Sequence, residues 1–404
     1  MKCYSLRGLM LLLSIVLCGG AATAQTTIHE LKLEQNKSKA IEGKAYLFAV
    51  PYTVPVTNIV ASNNSTVNAS QGSVAIYVYE GARQANGQDP WEAVSNSSEL
   101  NAGRCYKMIL NGTTQNTWKC RPNANPSQQK NITISANTSS NPVLSGWNGI
   151  ANTSWSKATP ALDGVTYAYR YDNSNSVYIL ESLDRNWEVA EPMIIQAPAA
   201  GKMTFTTSGV GFDFGGNMDP GDEFDAPARN KEENSSYTLI ISPLDDGFID
   251  NANLFIQSES KDKYVIGEDL VKLHGEGTGV LQIWMEAYGT DLSVLTAATT
   301  DGKADIKLHI YAPETNDYTL SIGGDNLTRF SLTKDGATQT KTINYWRIHL
   351  NKGDNIFTLH YSNQTPTALE THKSDKRYNK IMRDGQLYIE HNGQWFNLLG
   401  ERMP

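Results

Sequence analysis

Five carboxylates crowd into a short glycine-flexed stretch: Asp213, Asp219, Asp222, Glu223 and Asp225, with glycines at 215, 216 and 221. Hard oxygen ligands on a pliable loop suit calcium, which accepts many oxygens in irregular geometry. The Asp-x-Asp-x-Asp-Gly register of a helix–loop–helix calcium loop is missing, so a solvated acidic linker is the alternative. His309, His349 and His360 fall on the outward face of expected strands. Three imidazoles on one sheet face form a zinc or copper donor set if strand order joins them, and are cross-strand packing residues if it does not. Trp91, Trp147, Trp155 and Trp187 lie in or beside polar, Asn-rich segments. Exposed rings there would stack on sugar faces while Asn and Asp bind hydroxyls. Buried rings would instead fill the cores of sheets with few other bulky residues.

Reactive-centre motifs are missing from the sequence. It holds no Gly-x-Ser-x-Gly elbow and no His-Glu-x-x-His pair. Gly275-Glu276-Gly277-Thr278-Gly279 does not lie between a strand and a long helix, so it reads as a loop and not a phosphate cradle. No catalytic residue is assigned, and no cofactor apart from calcium at the acidic cluster.

The elements that must carry these residues are strands. Short runs rich in Val, Ile, Thr, Tyr and Phe alternate with Asn/Gly/Ser/Asp clusters, as at 44–50, 74–79, 203–206, 237–241, 306–311 and 356–361. At 306–311, Ile306, Leu308 and Ile310 face one way and Lys307, His309 and Tyr311 the other. One buried face and one wet face mean antiparallel sheets. Helical periodicity over ten or more residues is missing. The expected architecture is all-β: two to three antiparallel β-sandwich units of jelly-roll or immunoglobulin-like type, with a C-terminal hairpin tail. Composition shifts place a signal segment at 1–24 and units at 25–130, 131–228 (ending in the acidic linker) and 229–365. A tail follows at 366–404, with strands at 386–390 and 394–398 around His391-Asn392-Gly393.

Met1, Lys2 and Arg7 precede the apolar run Leu9 to Leu17, and Ala22-Thr23-Ala24 offers small residues for cleavage before Gln25. This is the pattern of a Sec-route signal peptide, and its apolar run is too short for a stop-transfer helix. Export would leave Cys105 and Cys120 as an even pair in an oxidising compartment. A hairpin turning at Asn111-Gly112-Thr113-Thr114 would set Leu110 against Gln115 and Cys105 against Cys120. A cross-strand disulfide of that loop size would contribute about 3 kcal/mol. The alternative is two buried free thiols.

Gly146-Trp147-Asn148-Gly149-Ile150-Ala151-Asn152 resembles the Gly-Trp-Asn…Gly-Asn-Pro strand motif of secreted Bacteroidetes surface proteins, with Ala151 and Thr153 in place of the usual Gly and Pro. Residues 237–322 resemble a domain found near the C-terminus of the same class. The matching stretches are Asp250-Asn251-Ala252, Gly267 to Leu273 and Asp317 to Leu320. Residues 381–402 look like a short tail carried by many such exported proteins. The resemblance implies export, a secreted or outer-surface location and a type IX-like sorting tail. It implies no activity.

The sequence has 40% hydrophobic and 19% charged residues, which excludes low-complexity disorder and a polytopic membrane protein. Its 34 Lys+Arg against 42 Asp+Glu give a net charge of -8, a poor match for nucleic acid. These features together lead to a non-enzymatic surface protein acting in adhesion or envelope structure, with a surface protein or a glycan as partner. Carbohydrate capture is the alternative, and a hydrolase with an unfamiliar site the second alternative.

Overall fold

The computed structural model describes residues 28–63, 67–123, 128–129, 131–207, 235–245, 247–258, 263–275 and 279–363, with the backbone of three short strands between 379 and 396. The signal segment and the carboxylates Asp213, Asp219, Asp222, Glu223 and Asp225 lie outside the described residues. The chain is all-β, in several largely antiparallel sheets. Among the described residues the one α-helix is Gly81–Ala85, and no helix is long and apolar enough to cross a membrane.

The N-terminal unit sets a three-stranded sheet (His29–Lys32, Thr117–Cys120, Ile59–Ala61) against a four-stranded one (Ala45–Phe48, Tyr106–Leu110, Val74–Tyr79, Trp91–Ala93). Period-two patterning turns Tyr106, Met108 and Leu110 inward, where they meet Leu31, Phe48 and Trp118 in one core.

The expected hairpin at 105–120 does not form. Tyr106–Leu110 is taken on both edges, by Ala45–Phe48 and by Val74–Tyr79. Thr117–Cys120 is likewise taken by His29–Lys32 and Ile59–Ala61 in the other sheet. The Asn111-Gly112 segment therefore crosses between sheets, which lets Met108 and Trp118 pack against the same core from opposite layers. Cys105 and Cys120 are free, fully buried thiols, not the expected cross-strand disulfide. Burial pushes both thiols well above the ordinary cysteine range.

The middle unit stacks Asn131–Ile134, Gly201–Thr207 and Ala158–Ala161 on the sheet Trp147–Ala151, Pro192–Gln196, Tyr167–Asp172, Val177–Ser182. Ile132, Ile150, Trp187, Met193 and Met203 fill the space between. Every residue of Trp147–Ala151 is buried, because its second face packs on the N-terminal unit. Two glycines permit that approach. A Cβ at Gly81 would sit 1.8 Å from the Trp147 carbonyl oxygen, and one at Gly149 would sit 2.5 Å from the Tyr79 Cβ.

The C-terminal unit is a 12-stranded sheet that curls on itself. Tyr237, on Ser235–Pro243, meets Phe330 edge-on at 4.6 Å between centroids although several strands separate them in sheet order. Ile306, Leu308 and Ile310 all point into the enclosed core. One parallel pair, Asn253–Gln257 with Val294–Ala298, interrupts an otherwise antiparallel sheet at the fold line. Three short antiparallel strands, Asn379–Arg383, Gln386–His391 and Gln394–Phe396, form the tail, one strand more than the expected hairpin.

A single apolar cluster joins all three units. Leu47, Tyr79 and Cys105 come from the first, Trp147, Tyr169 and Ile194 from the second, and Leu270 and Val294 from the third. The units are thus packed as neighbours, not strung on open linkers.

Candidate functional site: a groove between the first two units

A groove of about 290 Å³ runs where the N-terminal and middle units meet. One wall is the edge strand His29–Lys32, with Leu47 and Phe48 from the edge of the facing sheet. The antiparallel ladder pairs Leu31 with Trp118, and the Leu33 amide donates to the Asn116 carbonyl at 3.0 Å. The alternation of such a ladder turns the backbone groups of Glu30 and Lys32 away from the partner strand. Both side chains are exposed. The other edge is capped: the Leu47 amide donates to Asn173 Oδ1 at 2.8 Å, and Asn173 Nδ2 donates to the Leu47 carbonyl at 2.9 Å. Lys44 Nζ adds a contact to the Ser174 carbonyl at 3.0 Å, so the groove has a fixed width at this end.

The opposite wall carries charge. Arg170 Nε lies 3.1 Å from Glu181 Oε1 and 3.8 Å from Glu191 Oε1. Arg185 Nη2 reaches Glu191 Oε1 at 2.7 Å, and its guanidinium lies 3.8 Å over the Trp187 ring. Glu191 Oε2 accepts from the Glu188 amide at 2.8 Å. The network holds planar donors and acceptors in set positions. His29, at the groove mouth, is held below the usual imidazole range, mainly by burial and against the opposing charge of Glu30. The lining mixes both signs (Glu30, Asp172, Glu188, Glu191; Lys32, Arg170) and so matches a ligand rich in hydrogen-bonding groups.

Trp155 is tied to the same wall. The Asn152 side chain pins its loop, donating to the carbonyls of Ser156 (3.2 Å), Trp187 (3.0 Å) and Glu188 (3.0 Å) and accepting from the Ser154 amide (2.8 Å). Thr153 Oγ1 donates to the Gln129 carbonyl at 2.6 Å. The loop is fixed from inside, and the Trp155 ring is left 54% exposed.

The other three tryptophans sit differently. Trp147 and Trp187 are fully buried, with their indole N–H groups on the carbonyls of Val143 (2.9 Å) and Leu183 (3.2 Å). Trp91 is half-buried, edge-on to Tyr79 at 5.2 Å and with Lys107 Nζ 4.8 Å from its ring centre. The four rings therefore make no common platform. Arg170 carries no sequence signal for this network, because only strand register brings it to Glu181, and the close spacing of Glu181, Arg185 and Glu191 does not say what they face.

The histidines are placed in pairs with aspartates. His360 Nδ1 lies 2.7 Å from Asp305, and His349 Nδ1 lies 2.8 Å from Asp317. His309 lies between Asp354 (2.8 Å) and Glu286 (3.0 Å), stacked on Trp284 at 5.3 Å. With both ring nitrogens taken and the side chain only 8% exposed, His309 presents no free nitrogen to a substrate. Lys307, then His309, hold the Glu286 carboxyl below the usual range. Among the described residues no group of three or more His, Cys, Asp or Glu is arranged to hold a metal ion.

No family model matches the chain, and neither a curated protein nor a solved structure matches it.

Proposed function

We propose that the protein is an exported, non-enzymatic adhesion protein of the cell surface that captures its partner in the groove between the first two units. One observation carries the reading. The open edge of His29–Lys32 faces Arg170, Glu188 and Glu191 across a cleft at a unit boundary, with Arg170 and Glu191 held by ion pairs to Glu181 and Arg185. Binding sites favour such boundaries, and exposed sheet edges are standard receptors for extended chains. The shared apolar cluster supports the same reading, since it holds the two walls at a constant spacing. Export rests on the leader-like first 24 residues and on the resemblance of the strand and tail motifs.

Labelled protein should bind host cells or an immobilised matrix-protein panel, and a Lys32→Glu, Glu188→Lys double variant should lose at least tenfold in affinity. Both substitutions fall on exposed side chains, so a loss of binding with an unchanged fold would assign the effect to the groove. Binding by the double variant equal to the parent would remove this reading.

Carbohydrate capture is the second reading, favoured by the pinned and exposed Trp155. A glycan array would then give hits that vanish in Trp155→Ala and persist in the groove variant.

A further inference from the structure

Lys272 and Asp250 form the most enclosed ion pair among the described residues. Their side chains are each 1% exposed, and Lys272 Nζ lies 2.6 Å from Asp250 Oδ2. That oxygen also accepts the Ile283 amide at 2.8 Å. The second carboxylate oxygen, Oδ1, is buried and has no hydrogen-bond partner among the described residues. Asp250 opens the strand Asp250–Gln257, and Lys272 follows a register break between Leu270 and Val271. Such a break re-aims the next side chain, here inward.

As a simple ion pair this arrangement is poorly matched to its surroundings. Two charges are held out of water, and one carboxylate oxygen is left without a donor, which is the situation in which desolvation outweighs attraction. We infer that Lys272 and Asp250 join as an intramolecular isopeptide bond, making this pair a covalent cross-link of the mature protein.

The chemistry balances without a co-reactant. One proton passes along the 2.6 Å contact, giving amine and acid. The Nζ lone pair then attacks Asp250 Cγ, and a Nζ–Cγ bond forms. The Cγ–Oδ2 bond breaks, and Oδ2 leaves as water with the proton it received along the contact and one more from the amine. Each observed contact fits a step. The Ile283 N–H donates to Oδ2 and holds the carboxyl group in place beside the amine. Oδ1, the oxygen with no partner, stays as the amide carbonyl. Burial fixes the two groups together, the condition under which an intramolecular reaction gains most from proximity.

The product removes both charges and leaves a neutral carbonyl in place of the orphan carboxylate oxygen. It also staples strand Asp250–Gln257 to the segment carrying Val271, whose carbonyl accepts the Tyr169 hydroxyl of the middle unit. A cross-link there would brace the sheet at its contact with its neighbour.

Mass spectrometry of the full exported chain decides the matter. The expected intact mass is one water below that of the sequence counted between the termini the exported chain carries. Tryptic digestion should give a branched peptide joining the Asp250 and Lys272 segments, with no cleavage after Lys272. Asp250→Ala should restore the sequence mass and the cleavage. A parent protein at full sequence mass, cleaved normally after Lys272, would overturn the inference. That result does not depend on whether any variant folds.

Discussion

The hydroxyl of Tyr169, on the middle unit, donates to the carbonyl of Val271, on the C-terminal unit, across 2.6 Å. Tyr169 is buried, and burial pushes its hydroxyl far above the usual phenol range, so it remains a donor at any ordinary pH. Tyr169→Phe keeps the ring in the shared apolar cluster and deletes the hydroxyl. The variant should lose about 1–3 kcal/mol, the cost of leaving a buried carbonyl without its donor. Urea unfolding checks it, and an unchanged midpoint would mean that water replaces the hydroxyl.

The four tryptophans should separate sharply in stability. Trp147→Ala and Trp187→Ala each empty a fully buried site and should cost about 3–5 kcal/mol. Trp155→Ala removes an exposed ring and should stay within about 0.5 kcal/mol of the parent. Equal losses at Trp155 and Trp147 would show that the Trp155 ring is covered in solution.

Cys105 and Cys120 should resist thiol reagents in the folded protein and react fully once it is unfolded in denaturant. The reason is enclosure together with the upward push that burial gives both thiol pKa values, which leaves almost no thiolate at neutral pH. A reducing agent should not move the thermal midpoint. A native protein without titratable thiols after unfolding would restore the disulfide.

Much of this was legible in the residues alone. Ile306, Leu308 and Ile310 alternate with polar neighbours, and the strand and its buried face follow from that period. The same logic misled at Cys105–Cys120. Asn111-Gly112 is a local turn signal, whereas Tyr106–Leu110 is claimed by Ala45–Phe48 and Val74–Tyr79, long-range partners that no local pattern encodes. The site shows the same division. Trp155 stood out by type, but its pinning by Asn152 depends on the carbonyls of Trp187 and Glu188, more than thirty residues away. Arg170 and Glu181 lie on paired strands, and only register makes them neighbours.

The C-terminal unit should weaken in acid. Lys307 and His309 hold the Glu286 carboxyl below its usual range, and His349 and Arg347 do the same for Asp317. A carboxylate lowered in the folded state adds stability that is present above its unfolded value and lost as pH falls through the folded one. The urea midpoint should therefore fall as pH drops below the ordinary carboxylate range, about 4. The slope should be shallower in Glu286→Gln. A parallel slope in that variant would place the acid sensitivity elsewhere.

Capture in the groove is tested most directly by site-specific photocrosslinking to cells that bind the protein. A benzophenone amino acid placed at Lys32 or at Glu188 reports from the two walls, and one at the exposed Ser331 reports from the far sheet. The account predicts covalent partner adducts from Lys32 and Glu188 and none from Ser331. Adducts from Ser331, with none from the groove positions on cells that still bind the protein, would contradict it.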